Sequence, residues 1–137
     1  MYHLVTAKVS ADGGKARTLK YLTVAHSLTE SEAVLAADFE NVGNIVYEAI
    51  SSRRFELAGY LKDESKTEED PFKAYFVTLK IQVGSEEKPK FAKEKYLVEA
   101  ETDIVASKRM LEFYSEAEFP VEVDKVEYSN IEAVLYN

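Results

Sequence analysis

Two stretches of this chain are nearly the same. Lys-Tyr-Leu-Thr-Val-Ala at residues 20–25 returns as Lys-Tyr-Leu-Val-Glu-Ala at residues 95–100. The likeness extends in both directions, since residues 4–9 align with residues 76–81, and residues 50–57 with residues 126–133. An internal repeat of this length indicates two copies of one structural unit. The second half of the chain is therefore predicted to have the same fold as the first half.

The first half is predicted to form two strands, a helix and a third strand. Asp12-Gly13-Gly14 predicts a tight turn between the first two strands. Thr29 and Glu32 have the spacing of a capping box, which predicts the start of a helix, and Gly43-Asn44 predicts its end. From periodicity, the strands cover residues 2–9, 18–25 and 45 to about 57, and the helix covers residues 29 to about 40.

The second half is predicted to have the same order of elements. Gly84-Ser85-Glu86-Glu87 predicts the turn, Thr102 or Asp103 the helix cap, and Pro120 the end of the helix region. From periodicity, the strands cover residues 75–83, 91–100 and 121–128, the helix runs to about residue 117, and residues 131–136 stay extended past a bulge near Ser129-Asn130.

The order of these elements predicts an α+β fold with two pseudo-symmetric β-β-α-β repeats. A helix between the second and third strands makes those strands parallel to each other, and the first strand is expected between them. Each repeat is then a mostly antiparallel, three-stranded sheet with one helix packed on a face. The repeats are predicted at residues 1–60 and 72–137 of a single compact domain, joined by an acidic, solvated linker over residues 61–71.

The two faces of each predicted sheet are distinguished by comparing the repeats. Glu99 does not suit a core, so the residues that point to the other side of its strand are expected to face the helix. Their counterparts in the first repeat are expected to do the same (Tyr96, Val98 and Ala100; Tyr21, Thr23 and Ala25). The opposite face carries large apolar residues at matched positions: Leu4, Leu22, Phe76 and Leu97. We expect these four residues to be an interaction face, buried by the other half, by a second copy or by an outside protein partner.

Composition limits the chemistry that the chain offers. The net charge of −8 disfavours binding of nucleic acid over the whole surface, and the absence of cysteine excludes disulfides and thiolate metal sites. His3 and His26 lack further ligands at metal-binding spacing, and no phosphate-binding loop, nucleophile elbow or zinc-protease motif occurs. No membrane span or signal peptide is recognised. The expectation is a cytoplasmic, non-enzymatic protein without cofactor or metal.

One charged feature favours a different partner. The returning strand of each hairpin is basic, and an aromatic residue lies among the lysines of the second (Lys15, Arg17, Lys88, Lys90, Phe91, Lys93 and Lys95). Lysines interleaved with an aromatic ring suit single-stranded nucleic acid, whose phosphates they neutralise and whose bases the ring stacks. The alternative interpretation is that lysine on exposed strands prevents edge pairing.

The order of these sequence motifs also resembles a known family. The aromatic strand start at residues 2–9, the repeated Lys-Tyr-Leu motif, the capped helix and Val-Glu-Tyr-Ser-Asn-Ile at residues 126–131 are similar to domain-of-unknown-function family 4494. This family comprises small uncharacterised proteins of Bacteroides-type bacteria, their phages and mobile elements. The resemblance implies a cytoplasmic accessory protein of bacterial, phage or mobile-element origin, without established catalytic residues. We therefore expect binding of another protein or of a second copy, with nucleic acid as the alternative.

Overall fold

The computed structural model describes residues 1–11, 14–43, 45–67, 69–85 and 87–136. Over these residues the fold is α+β, as the sequence predicted. Its elements are β1 (Tyr2–Ala11), β2 (Arg17–Val24), α1 (Leu28–Val42), β3 (Ile45–Phe55), β4 (Gly59–Leu61), β5 (Ala74–Gly84), β6 (Pro89–Glu99), α2 (Asp103–Phe113), β7 (Val121–Tyr128) and β8 (Ile131–Tyr136).

The chain divides into two compact units. The first comprises Met1–Glu56 and Ile131–Asn137, and the second comprises Leu57–Asn130. Each unit has one four-stranded sheet, with the order β3-β1-β2-β8 in the first and β4-β6-β5-β7 in the second. The first strand of each repeat lies between the second and third strands, as predicted, and pairs with both in antiparallel fashion.

The core of each unit lies between its sheet and its helix. In the first unit Leu35 and Phe39 of α1 pack on alternate residues of the sheet, including Val5 and Tyr21. Phe39 meets the edge of the Tyr21 ring at 5.5 Å between centroids. The core of the second unit is built in the same way from α2 and the strands (Val77, Leu79, Ile81, Tyr96, Val98, Ala100, Ala106 and Met110). The predicted helix-facing sides are therefore correct.

The strand registers agree with the internal repeat. Leu4 pairs with Leu22 in the first unit, and Phe76 pairs with Leu97 in the second. The third strand carries one extra residue at the same place in both units, since the register shifts between Thr6 and Ala7 and again between Thr78 and Leu79. Val5 and Val77 are equivalent residues of the two first strands, and they pair with Ser52 and Val126. Residue 52 is therefore equivalent to residue 126, whereas the sequence alignment placed it over residue 128, an error of two positions. The two third strands have too few similar residues at equivalent positions for the sequence alone to align them.

The fourth strand of each sheet differs from the prediction. The C-terminal strand β8 does not extend the second sheet past a bulge; it pairs in parallel with β2 of the first sheet. In the same way β4 follows the first repeat along the chain but pairs in parallel with β6. Each predicted three-stranded sheet therefore has a fourth strand, and that strand comes from the part of the chain directly after the third strand of the other repeat. The units accordingly divide the chain after residues 56 and 130, whereas the predicted repeats covered residues 1–60 and 72–137.

The segment predicted as a solvated linker is attached to the second unit. The Asp63 amide donates a hydrogen bond to the Glu99 carboxylate at 3.1 Å, and Lys66 forms an ion pair with Glu101. Arg109 of α2 donates hydrogen bonds to the carbonyl oxygens of Lys62 and Glu99. High polarity suggested a free linker, but here the polar groups serve as hydrogen-bond partners.

The helix ends correct two sequence predictions. Helix α1 is capped by Ser27, whose Oγ accepts a hydrogen bond from the Glu30 amide at 3.1 Å, so the capping box predicted at Thr29 is wrong. Ser27 and Glu30 have the same spacing, and the earlier serine takes the role. Helix α2 is capped by Thr102, as predicted, but ends at Phe113 because Tyr114 leaves the helix.

Parts of the predicted turns lie outside the described residues, namely Asp12, Gly13, Asn44 and Glu86. Gly43, which is described, ends α1 with a φ of 71°, a conformation that favours glycine.

Candidate interaction surfaces

The four residues of the predicted interaction face retain little accessible surface. Leu22 and Leu97 are fully buried, and Leu4 is 7% exposed. Phe76 is half-buried, with the Lys95 ammonium 5.5 Å from the centre of its ring. All four lie opposite the helix of their unit, where the sequence placed them. Of the four, Phe76 therefore has the most surface for a partner to contact.

Glu99 lies on the same face of the second sheet as Phe76 and Leu97, and is itself buried. Its carboxylate accepts hydrogen bonds from the Tyr60 hydroxyl and the Asp63 amide, both at 3.1 Å. A buried carboxylate requires such donors. Sequence reasoning placed Glu99 on the correct face because a carboxylate does not suit a core, but it could not identify the donors Tyr60 and Asp63, which lie far away in the sequence. Glu99 is thus a structural residue that secures the start of the predicted linker.

The basic residues of the second hairpin are divided between the two faces of the sheet. Phe91, Lys93 and Lys95 lie opposite Gln82, Lys80 and Thr78, so these three residues share the face of Phe76. Lys90 pairs with Val83 and points to the helix side, while Lys88 lies in the turn before β6. In the first hairpin Lys15 lies in the turn, and Arg17 pairs with Val9 on the helix side.

The structure adds Lys80 to the basic residues of this face. Lys80 is directly opposite Lys93, and its ammonium lies 4.5 Å from the centre of the Phe91 ring. Phe91 is 53% exposed. Lys93 also forms an ion pair with Asp124 at 3.3 Å. The sequence signal for Lys80 is its alternation with Phe76 on the preceding strand, which places both residues on one face of the sheet. We call Lys80, Phe91, Lys93 and Lys95 the basic face.

Helix α2 has apolar residues on both of its sides. Ala106 and Met110 are fully buried against the sheet. On the outer side Ile104 is 65% exposed and Leu111 is 45% exposed, seven residues further along the same helix face. A surface helix normally presents polar residues to solvent. We call Ile104 and Leu111 the outer face of α2.

A tyrosine pair explains where α2 ends. The hydroxyl groups of Tyr96 and Tyr114 are hydrogen-bonded at 2.6 Å, and Tyr114 also donates to the Glu94 carboxylate at 3.0 Å. Burial raises the pKa of both hydroxyls above the usual tyrosine value, and the nearby Glu94 carboxylate raises it further. Both tyrosines therefore stay neutral at physiological pH and attach the end of α2 to β6.

The two histidines are in separate settings. His3 is 2% exposed, its Nδ1 has no hydrogen-bond partner among the described residues, and burial lowers its pKa, assisted by the charges of the Met1 amino group and Arg54. His26 lies on the wall of a pocket of about 250 Å³ at the start of α1, together with Glu30. Within the described ranges, no three His, Asp or Glu side chains are grouped as metal ligands would be.

Comparisons with known proteins give no assignment. No protein-family model matches this chain, and no curated protein and no solved structure matches it either. The resemblance to the family of small Bacteroides-type and phage proteins therefore stays a prediction. Among the described residues, neither helix has the length and hydrophobicity that crossing a membrane requires.

Proposed function

We propose that this chain is a non-enzymatic accessory protein that acts by binding another protein. The observation that carries this proposal is the outer face of α2. Ile104 and Leu111 together leave two large aliphatic side chains in water, on a side of α2 turned away from the buried Ala106 and Met110. Covering one such side chain is worth about 1.5–3 kcal/mol, so a partner that covers both gains appreciable affinity.

The originally expected interaction face supports this function less well. Leu4, Leu22 and Leu97 are buried within the single chain, and a partner gains binding energy only from surface that is accessible before it binds. The outer face of α2 meets that condition. Helix binding through residues seven positions apart is also a common mode of protein recognition, since such residues lie on one side of the helix.

The first experiment replaces the outer face and compares it with a matched surface. Ile104→Gln with Leu111→Gln removes the two exposed aliphatic side chains, and glutamine preserves helix propensity. Leu28→Gln with Val42→Gln is the control, because those residues of α1 are 44% and 65% exposed. We expect the α2 variant alone to lose the protein captured by the wild type from its native cells, as measured by affinity capture and mass spectrometry.

Thermal unfolding shows whether the α2 variant is folded. Both double variants are expected to unfold within a few degrees of the wild type, since surface substitutions change stability by about 0.5 kcal/mol or less each. The proposal fails if the α2 variant is folded and captures the same protein as the wild type.

Single-stranded nucleic acid is the second candidate ligand, and the basic face favours it. Lys80, Lys93 and Lys95 lie on the same face of one sheet as the exposed Phe91, and Lys80 contacts its ring. Neutralised phosphates make affinity depend on salt, with a slope of about −0.7 per phosphate contact for single strands. An aromatic ring adds about 1–3 kcal/mol for each stacked base.

Replacement of the three lysines tests this candidate. We expect the triple variant Lys80→Ala, Lys93→Ala and Lys95→Ala to lower the salt slope of oligonucleotide affinity by about 2, from three lost contacts. The triple variant Lys62→Ala, Lys73→Ala and Lys108→Ala loses the same charge elsewhere and should retain the slope. Fluorescence anisotropy with a labelled oligothymidylate measures both. No binding by the wild type at low salt, or equal slopes for the two variants, would exclude the basic face as a nucleic-acid site.

A further inference from the structure

Strand β3 is a long, exposed edge of the first sheet. It covers eleven residues, pairs with β1 along one side and ends the strand order on the other. In the described part of the chain, no backbone hydrogen bond joins residues 45–54 of β3 to an element other than β1. Val46 is 76% exposed and Ile50 is 55% exposed. An edge of this kind is a template for pairing with another strand.

The bulge in β3 decides which side chains share a face. Ile50 is the extra residue, because Thr6 pairs with Ser51 while Ala7 pairs with Ala49. Before the bulge Glu48 pairs with Lys8, and after it Arg53 pairs with Leu4. Lys8 and Leu4 lie on the same face of the sheet, since they are four residues apart on a regular strand. Glu48 and Arg53 therefore share that face, although they are five residues apart.

This arrangement is complementary to itself in one antiparallel register. When Glu48 lies opposite Arg53 of a second copy, two-fold symmetry places Arg53 opposite that copy's Glu48 as well. The same register places Val46 opposite Phe55, and Tyr47 opposite Arg54, with both members of each pair on one face. Opposite charges and apolar side chains across an antiparallel pair stabilise it.

The neighbouring registers lack this complementarity. A shift of two residues one way places Glu48 opposite Ser51, and a shift the other way places it opposite Phe55. A shift of one residue pairs each residue before the bulge with a residue after the bulge whose side chain lies on the opposite face of the sheet. In a parallel pair in register, Glu48 would lie beside Glu48 and Arg53 beside Arg53. The charges of β3 therefore select a single mode of self-pairing.

The equivalent strand of the second unit gives the opposite result. Strand β7 is also a sheet edge, with its extra residue at Asp124. There Glu122 pairs with Lys80 and Glu127 pairs with Phe76, so these two glutamates occupy the places of Glu48 and Arg53. The same two-fold register would place Glu122 opposite Glu127 twice, and like charges directly opposite destabilise a strand pair. Of the two matched edges, only β3 attracts its own copy.

We propose that two copies of this chain associate through antiparallel pairing of their β3 strands, with Glu48 of each copy opposite Arg53 of the other. The two four-stranded first sheets then form one continuous sheet of eight strands. The pairing bonds the outer edge of β3 and covers Val46 and Ile50. This dimer does not use the outer face of α2 or the basic face, so it stands independently of the proposed function.

Charge reversal tests the dimer on the full-length protein. We expect sedimentation equilibrium to show a wild-type dimer that dissociates on dilution. Glu48→Arg and Arg53→Glu should each weaken dimerisation at least tenfold, because each creates two like-charge pairs. The double variant Glu48→Arg with Arg53→Glu restores both opposite-charge pairs and should dimerise to within about threefold of the wild type. Glu32→Arg on the exposed side of α1 is the charge-matched control and should not change the dissociation constant.

The recovery in the double variant distinguishes this proposal from its alternatives. A wild-type protein that is monomeric at about 100 μM would overturn it. So would a dimer that both single reversals leave intact, since its interface would lie elsewhere. Circular dichroism identifies any single variant that fails to fold. In that case, hydrogen exchange of the wild-type protein tests the pairing of β3 without a substitution. Protection of amides in residues 46–54 should rise with protein concentration, and no rise would contradict the pairing.

Discussion

Removal of residues 131–137 is expected to unfold the first unit. Strand β8 places Ala133 and Leu135 against the core under α1, and Ile131 is 3% exposed. Full burial of Ile131 contributes about 1.5–3 kcal/mol, and the partly buried Ala133 and Leu135 add to this. Together they are an appreciable fraction of the roughly 5–15 kcal/mol that typically stabilises a whole protein. The deletion also removes the parallel partner of β2.

Two-dimensional amide NMR of the truncated chain measures this effect. We expect the dispersed signals of the first unit to collapse and to return when a synthetic peptide of residues 129–137 is added. Glu132→Gln is the control, because Glu132 is exposed on the same strand and its substitution should change stability by about 0.5 kcal/mol or less. A truncated protein with the spectrum and melting temperature of the wild type would show that β8 is dispensable.

Met110→Ala is expected to cost about 2–5 kcal/mol of stability, because Met110 is fully buried between α2 and its sheet and its truncation leaves a cavity. Leu111→Ala removes a side chain of similar size from the next position, but Leu111 is 45% exposed, so we expect a loss of about 0.5 kcal/mol or less. Urea denaturation of both variants measures the difference. Equal losses would mean that Leu111 is part of a core and is not available to a partner.

Much of this fold follows from local patterns. Alternation in β1 and β5, read together with the repeat, correctly predicted the central strands and the side chains that face each helix. The helical spacing of Ala106, Met110 and Phe113 likewise predicted the core side of α2, correctly for Ala106 and Met110 and wrongly for Phe113, which is 58% exposed. These features depend on the period of a strand or helix, which is a property of neighbouring residues. Thr102 was one of the two caps predicted for α2 for the same reason, whereas the start predicted for α1 at Thr29 was wrong, because Ser27 caps that helix.

The candidate surfaces could be predicted only in part. The sequence identified Phe91, Lys93 and Lys95, but it could not show that Lys80 contacts the Phe91 ring from the adjacent strand. It predicted a buried apolar face but left open whether the chain itself or a partner covers it, and the structure shows Leu4, Leu22 and Leu97 buried within the single chain. Contacts between strands depend on the register of their pairing, and a shift of one residue reverses every side chain.

The sequence by itself determined the repeat, the type and order of its main elements and the face on which most side chains lie. Only the tertiary structure decided which strands close each sheet. The extended segments β4 and β8 have no local feature that distinguishes one sheet edge from another, since any strand edge offers the same backbone donors and acceptors. Their pairing with β6 and β2 depends on where the chain turns, as at Asn130 with its φ of 58°, and on the side chains that the edge strand covers. The tertiary structure also decides the position of the bulges, because a residue is extra only in relation to the strand with which it pairs. The self-complementary face of β3 depends on that position.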